Sequence, residues 1–372
     1  MKPIQMVDLA SQYARLKPEI DASIQQVLDK AAYINGPEVK AFGNDLSLYL
    51  GAKYVIPCAN GTDALQIALM ALDLPIGSEV ITPGFSYIAL AEVCLLLHLK
   101  PVYCDVNLDT FTVDVNQIEA LITPQTKVIT PVHLYGQCAD MEAIMTIAQK
   151  HNLYVIEDNA QSIGADYTFS SGKVMKAGTI GDIGTTSFFP SKNLGCYGDG
   201  GAIYTNNDEL GEKLKMIANH GQKVKYIHDV VGVNSRLDTL QAAILKVKLQ
   251  YLDAFNTERR NVAKQYDAAF ANHPNLKAPS RNPSSTHVFH QYTLQTCDVD
   301  IPNFRDTLQK VGIPTMIYYP LPLYKQNAYK QDIQLPHSEV LSTCVVSLPI
   351  GTDMEQEQID FIIENVLKYF KK

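Results

Sequence analysis

Two rhythms of apolar residues run through positions 53–204. The runs EVITP (79–83), KPVYCDV (100–106), KVITPVH (127–133) and LYVIED (153–158) are short and almost continuously apolar. Between them, DALQIALMALD (63–73), ALAEVCLLLHL (89–99) and MEAIMTIAQKH (141–151) place apolar residues three and four apart. Two more short runs follow, TTSFF (185–189) and GAIYT (201–205). Short buried strands alternating with amphipathic helices predict an α/β unit built on a mainly parallel sheet. In such sheets the reactive groups gather at the carboxyl ends of the strands.

The flanks read differently. DASIQQVLDKAA (21–32) predicts a helix, YINGPEV (33–39) a turn, and a second helix follows. From Asn234 to about residue 272 the helical spacing dominates, with LDTLQAAILKVKLQYLDAF (237–255) as one continuous helix. HPNLKAPSRNPSSTH (273–287) is loop-like, and a compact α+β tail then runs to Lys372, with RDTLQKVGIP and EQIDFIIENVLKYF as helices. The expected organisation is a large domain over 1–250 and a smaller C-terminal domain over 251–372, changing over within the long helix.

Composition narrows the class. A 46% hydrophobic, 19% charged chain of 372 residues can bury a sizeable core. A net charge of −8 argues against a general nucleic-acid binder, which needs a Lys/Arg excess. The start, MKPIQMVDLASQ, carries no signal-peptide pattern. The apolar stretch at 88–99 is too short and too polar for a bilayer span. Seven scattered cysteines without CxxC spacing imply free thiols in a reducing cytoplasm and no structural zinc. With the charge and the short apolar stretch, the expectation is no membrane and no nucleic-acid partner.

The candidate chemistry starts at SFFPSKNLGCYGDGGA (187–202). Lys192 sits between Phe188-Phe189 and a run of glycines (195, 198, 200 and 201). The rings would wall the amine off from water, and the glycines would let backbone approach a flat ligand. Desolvation lowers an amine's pKa and makes it a nucleophile; a plain surface lysine is the alternative. EDNAQS (157–162) ends an apolar strand with Glu157 and Asp158. A carboxylate there needs a cationic partner, such as a pyridinium nitrogen, or else caps a helix at Asn159. CANGTDAL (58–65) puts Asn60-Gly61-Thr62 at a helix start, either an anion site or an ordinary cap. Ser187 could add a hydroxyl. Together these describe a pyridoxal 5'-phosphate (PLP) site, with Tyr87 of TPGFSYIAL either stacked on the ring or part of the core. His133 lacks a second ligand at helical spacing and reads as structural or substrate-facing.

Beyond these, VDLxxQY, YINGPEV, ANGTDALQIALMAL, PVHLYGQCADM, VIEDNAQSIGA, NHGQ and GVNSRLDTLQAAIL occur in one order over most of residues 1–250. In this the sequence resembles the fold-type-I PLP enzymes of the DegT/DnrJ/EryC1/StrS nucleotide-sugar aminotransferase family. The C-terminal third matches more loosely, through GIPTMIYYPLPLYKQ and VVSLPI. The resemblance implies that Lys192 bonds the cofactor and shuttles the proton, and that Asp158 pairs with the pyridine nitrogen. Tyr87 would stack on the ring and Gln161 meet its phenolic oxygen. Gly61, Thr62 and Ser187 would hold the phosphate. Asn234 would reach the cofactor phosphate of a second subunit, making the working unit a homodimer. Some members carry histidine at the lysine position and dehydrate sugars; Lys192 implies transamination.

Within the family the chain is most similar to enzymes that aminate the 3-keto group of UDP-2-acetamido-2-deoxy-3-keto-glucuronic acid, on the route to bacterial surface polysaccharide (O-antigen). That implies glutamate as amino donor and Tyr33, Ser191, Arg236, Tyr318 and Tyr319 as substrate contacts. Arg236 suits a carboxylate or phosphate through bidentate contacts, or else an ion pair with Asp238. Tyr318 departs from the pattern, standing where those enzymes carry histidine. A dTDP-3-keto-6-deoxyhexose is the alternative substrate, and an inactive regulator or scaffold the alternative of another class. The absence of GxGxxG and GxxxxGK[ST] speaks against a nicotinamide dehydrogenase and a P-loop NTPase.

Overall fold

The computed structural model describes residues 1–371; Lys372, the last residue of the expected C-terminal domain, lies outside the described residues. Helix α1 (Leu9–Lys30) starts well before the expected Asp21. Asp8 caps it by accepting from the Ser11 N–H at 2.9 Å. Pro18 sits inside the helix, where it removes a hydrogen bond. Burial of Gln12, Leu16, Ile20 and Val27 offsets that loss. Helix α2 (Pro37–Leu50) opens on Pro37, at a position whose N–H would be unpaired anyway.

The strands are β1 (Tyr54–Cys58), β2 (Glu79–Pro83), β3 (Lys100–Cys104), β4 (Thr126–Ile129), β5 (Tyr154–Asp158), the hairpin β6 (Asp166–Thr168) and β7 (Val174–Lys176), β8 (Ile183–Ser187) and β9 (Gly201–Thr205). Seven of them form one sheet in the order β1-β9-β8-β5-β4-β2-β3. Strand β9 runs antiparallel to both its neighbours, and the other pairs are parallel. The sheet is therefore mainly parallel, as its near-continuous apolar strands require. Strand β4 ends earlier than expected, because Pro131 has no N–H for the ladder. Val132 rejoins the sheet only as a single bridge to Asp158.

Helices α3 (Gly61–Ala71), α4 (Ala89–Leu96), the single turn α5 (Val115–Ile118), α6 (Met141–His151) and α7 (Asp208–Ala218) flank the sheet. Leu65, Ile67 and Leu69 of α3 pack with Val80, Val128, Ile156 and Ile203. Each such burial contributes about 1.5–3 kcal/mol, which fixes α3 and hence its N-terminus. Helix α4 stops at Leu96, short of the expected Leu99, and His98 turns the chain with φ 56°.

The hairpin β10 (Gln222–Val224) and β11 (Ile227–His228) precedes α8 (Thr239–Leu249) and α9 (Leu252–Phe270). The expected single helix is thus broken at Gln250-Tyr251, with Leu249 and Leu252 both buried across the break. A second sheet of β12 (Leu276–Lys277), β13 (Tyr292–Thr296) and β14 (Val345–Leu348) is wholly antiparallel. Helices α10 (Ile301–Lys310), α11 (Pro336–Cys344) and α12 (Gln356–Tyr369) accompany it. Its core joins Val262, Tyr266 and Phe270 of α9 to Leu294, Phe304, Val346 and Ile362, and Ile4 from the start of the chain packs into it. No helix among the described residues is long and apolar enough to cross a membrane.

Candidate active site

At the carboxyl ends of β5 and β8 lies a cavity of about 420 Å³. Gly61, Thr62, Tyr87, Asp158, Gln161, Ser187, Ser191, Lys192, Tyr318 and Tyr319 all line it, so distant motifs of the sequence meet there. Tyr33, Asn234 and Arg236 do not border this cavity. They share another region: Ile34 bridges to Asp238, and the Tyr33 carbonyl accepts from the Thr239 N–H at 3.0 Å. No ion pair joins Arg236 to Asp238 among the described residues.

Sheet register builds the anion end of the cavity. Gly201 pairs with Cys58 on one side and Ser187 on the other, so the start of α3 abuts the end of β8. The approach is close enough to demand glycine: a Cβ on Gly61 would lie 2.7 Å from that of Ser187, and one on Gly201 2.5 Å from the Asn60 carbonyl. Asn60 caps α3 by accepting from the Asp63 N–H at 2.8 Å. The Gly61 and Thr62 N–H groups precede that bond and have no intrahelical acceptor. With the helix dipole behind them they suit a phosphate, beside the Ser187 hydroxyl.

Neighbouring carboxylates on β5 have separate duties. Glu157 is fully buried and accepts from the Gly178, Ile180 and Gly181 N–H groups at 2.8, 2.6 and 2.6 Å. Its other contact is His133 Nε2 at 2.8 Å, while His133 Nδ1 accepts from the Ala139 N–H. His133 is therefore a structural group. Asp158 faces the cavity, and among the described residues its side chain accepts only from the Ala160 N–H, at 3.1 Å. No helix begins at Asn159; a turn does. Burial pushes the Asp158 carboxyl up, against the pull of Ala160, Lys192 and His133. A buried carboxylate with one local hydrogen bond is suited to a cationic ring nitrogen.

Burial also lowers the Lys192 amine to about 8, opposed by the charge of Asp158. The source differs from the sequence expectation. Phe189 borders the cavity, but Phe188 points into the core and meets Phe42 edge-on at 5.4 Å. Gly195, Gly198 and Gly200 serve packing rather than a ligand, whereas Gly201 belongs to the anion end of the cavity. A Cβ on Gly195 would strike the Pro190 carbonyl, and one on Gly200 would lie 2.9 Å from Leu237. Buried Lys248 donates to the Gly195 carbonyl and Asn193 to Asn256 and Val288, fastening the segment that carries Lys192.

Gln161 is held at both ends of its amide. Its Oε1 accepts from the Tyr135 N–H at 2.8 Å, and its Nε2 donates to the Tyr319 hydroxyl at 3.2 Å. Tyr87 is exposed at the cavity mouth, 6.2 Å from the Tyr319 ring, with its face free for a flat ligand. The sequence reading missed Ser86, Tyr135, His290 and Gln291, which also line the cavity. In HVFHQYT, His290 and Gln291 are embedded in an apolar run that reads as core. The free amides, hydroxyl, carboxylate and low-pKa amine together fit PLP by donor and charge.

Residues 14–367 match the DegT/DnrJ/EryC1/StrS aminotransferase family. The UDP-2-acetamido-2-deoxy-3-oxo-D-glucuronate aminotransferase of Pseudomonas aeruginosa is 47% identical, over 96% of this chain and 98% of its own length. The UDP-N-acetyl-3-dehydro-alpha-D-glucosamine 3-aminotransferase of Acidithiobacillus ferrooxidans is 43% identical, over 96% and 95%. The crystal structure of DesV from S. venezuelae, in complex with a ketimine intermediate, superposes with a TM-score of 0.95 at 37% identity, covering both chains fully. A match of this extent, with the lysine and carboxylate facing one cavity, places the chain plainly: it belongs to the DegT/DnrJ/EryC1/StrS aminotransferase family.

Proposed function

We propose that the chain is a PLP-dependent aminotransferase that carries an amino group from glutamate to the 3-keto carbon of a UDP-linked sugar. The substrate that best suits it is UDP-2-acetamido-2-deoxy-3-keto-glucuronate, a precursor of bacterial surface polysaccharide made in the cytoplasm. The observation carrying this reading is one cavity that joins an amine lowered to about 8, a buried carboxylate and a helix start with free amides. A scaffold or regulator would have no use for a desolvated amine facing a buried acid.

The bound cofactor supplies an electron sink for the carbon that loses its proton. The rest falls to the chain. Lys192, in its uncharged form, would hold the cofactor covalently by condensing with its aldehyde with loss of water, and would carry the proton between the two reacting carbons. Asp158 would keep a proton on the ring nitrogen, and Tyr87 would cover the ring. Gln161, oriented by the Tyr135 N–H, directs its amide at the phenolic oxygen. Gly61, Thr62 and Ser187 bind the phosphate. Ser191, Tyr318 and Tyr319 border the space left for the sugar.

Tyr33, Asn234 and Arg236 act, in this reading, on the cavity of a second copy. Their region carries exposed apolar residues that a partner would cover: Ile34, and Tyr226, Ile227 and Val231 on and beside the β10–β11 hairpin. Arg236→Ala should lower kcat/KM for the sugar nucleotide about ten- to hundredfold, since a charge-assisted contact is lost, and leave the glutamate half-reaction nearly unchanged. Mixing Arg236→Ala subunits with Lys192→Ala subunits should restore turnover, because one site of the hybrid then has both residues. No restoration would place Arg236 in its own subunit's site.

The deciding experiment for the function loads the enzyme with pyridoxamine phosphate and offers a panel of nucleotide 3-keto sugars. The UDP 3-keto uronate should return the cofactor to its aldehyde form fastest. Preference for a neutral dTDP 6-deoxy sugar would replace the uronate, and no reaction with any sugar would overturn the reading.

A further inference from the structure

The wall of the cavity contributed by residues 288–291 is built with more care than packing needs. The Val288 N–H donates to the Gly136 carbonyl at 2.8 Å, and the Gln291 N–H to the Tyr135 carbonyl at 3.2 Å. Two residues at this junction hold left-handed backbone, Tyr135 at φ 59° and Phe289 at φ 49°. Such backbone in bulky residues persists only where the surroundings enforce it. Gly136, at φ 118°, has no room for a Cβ, which would lie 2.8 Å from the Phe289 nitrogen. Behind the wall, Arg259 is buried without an acidic partner and spends its Nη1 on the carbonyls of Phe289, His290 and Ile350. His287 stacks on Phe289 at 3.9 Å and accepts from its N–H.

This scaffold presents His290 and Gln291 at the cavity. Both are more than nine-tenths buried. Among the described residues His290 Nδ1 and Gln291 Oε1 have no partner. A buried orphan of this kind is costly and calls for a ligand to complete it. Burial, Lys192 and Arg259 all disfavour the charged imidazole, so His290 stays neutral. A neutral imidazole carries one donor and one acceptor nitrogen.

Resting on the aminotransferase reading, we propose that His290 and Gln291 bind an uncharged group of the sugar that both donates and accepts hydrogen bonds, a ring hydroxyl or an acetamido amide. A carboxylate, with no proton to donate, would leave an acceptor unpaired and would want a cation, which this wall lacks. Charge on the substrate is left to groups elsewhere, and this wall reads the neutral part of the sugar ring.

The test is equilibrium binding of UDP and of UDP-N-acetylglucosamine to the PLP-loaded enzyme by calorimetry. Wild type should bind the sugar nucleotide more tightly than UDP. His290→Leu should weaken UDP-N-acetylglucosamine about three- to tenfold, the scale of one neutral hydrogen bond, and leave UDP unchanged. His290→Gln, which keeps a donor of similar reach, should retain most of the preference. Should the leucine variant not fold, His290→Asn, too short to reach, takes its place. Unchanged sugar preference, or equal losses for both ligands, overturns the proposal. If wild type binds neither ligand, the nucleotide-sugar reading itself fails.

Discussion

Lys192→Ala should abolish turnover, with a loss of about four powers of ten, while the fold survives. The side chain lines a cavity and belongs to none of the apolar core clusters. Two proposed functions go at once: the covalent hold on the cofactor and the positioned proton carrier, the second alone contributing about 10²–10⁴. The long-wavelength absorbance of bound PLP should vanish with it. In wild type, the rate at which the cofactor-free protein captures PLP should rise with pH through about 8, where the amine loses its proton. The sign follows from burial, which lowers this pKa from its ordinary value and brings the nucleophile into the working range. Retained absorbance and repeated turnover in Lys192→Ala would remove Lys192 from the mechanism.

Asp158→Asn should cost roughly a thousandfold in rate, about 4 kcal/mol at the transition state. An amide is isosteric but cannot hold a proton on the ring nitrogen by charge. The proposed phosphate site at Gly61, Thr62 and Ser187 is untouched, so cofactor content should stay near wild type and the loss should fall on kcat. Stopped-flow half-reactions separate the two halves: both should slow, because both pass through the same electron-poor ring. Near-normal rates with bound cofactor would reduce Asp158 to the turn contact it makes with Ala160.

How much of this was legible in the sequence depends on where a residue's partners lie. Asp158, Ser187 and Gly61 sit at strand ends or a helix start inside short motifs, and Lys192 in the turn that follows β8. Local pattern therefore gave both their element and their edge of the sheet. Phe188 was misjudged because alternation along the backbone, rather than proximity to Lys192, decides which of two adjacent rings faces the cavity. The glycines were misread for a related reason. Their constraint comes from Asn60, Pro190 and Leu237, which only the folded register brings near. His290 and Gln291 gave no signal, since a polar residue in an apolar run looks the same whether it is satisfied or orphaned. The break at Gln250-Tyr251 has no proline or glycine to mark it. The early start of α1 was hidden by Pro18, a residue that usually ends a helix.

The paired acids of β5 carry a consequence for how this gene can change. Glu157 and Asp158 project to opposite faces because successive strand residues alternate. One ties down the Gly178–Gly181 backbone and the other meets the cavity. Loss of a single codon upstream within the strand would shift both by one place and exchange their faces. The protein would keep two adjacent carboxylates in its composition, yet the aspartate would arrive at the post of Glu157 and the glutamate at the place of Ile156, on the cavity's side of the strand but two residues short of Asp158. The loop would lose its anchor and the cavity its acid in one event. The β6–β7 turn around Gly172 is exposed, and a Cβ on that glycine would meet nothing within 4 Å. Length variation in a lineage descended from this chain would accordingly collect there, and stay out of the five residues of β5.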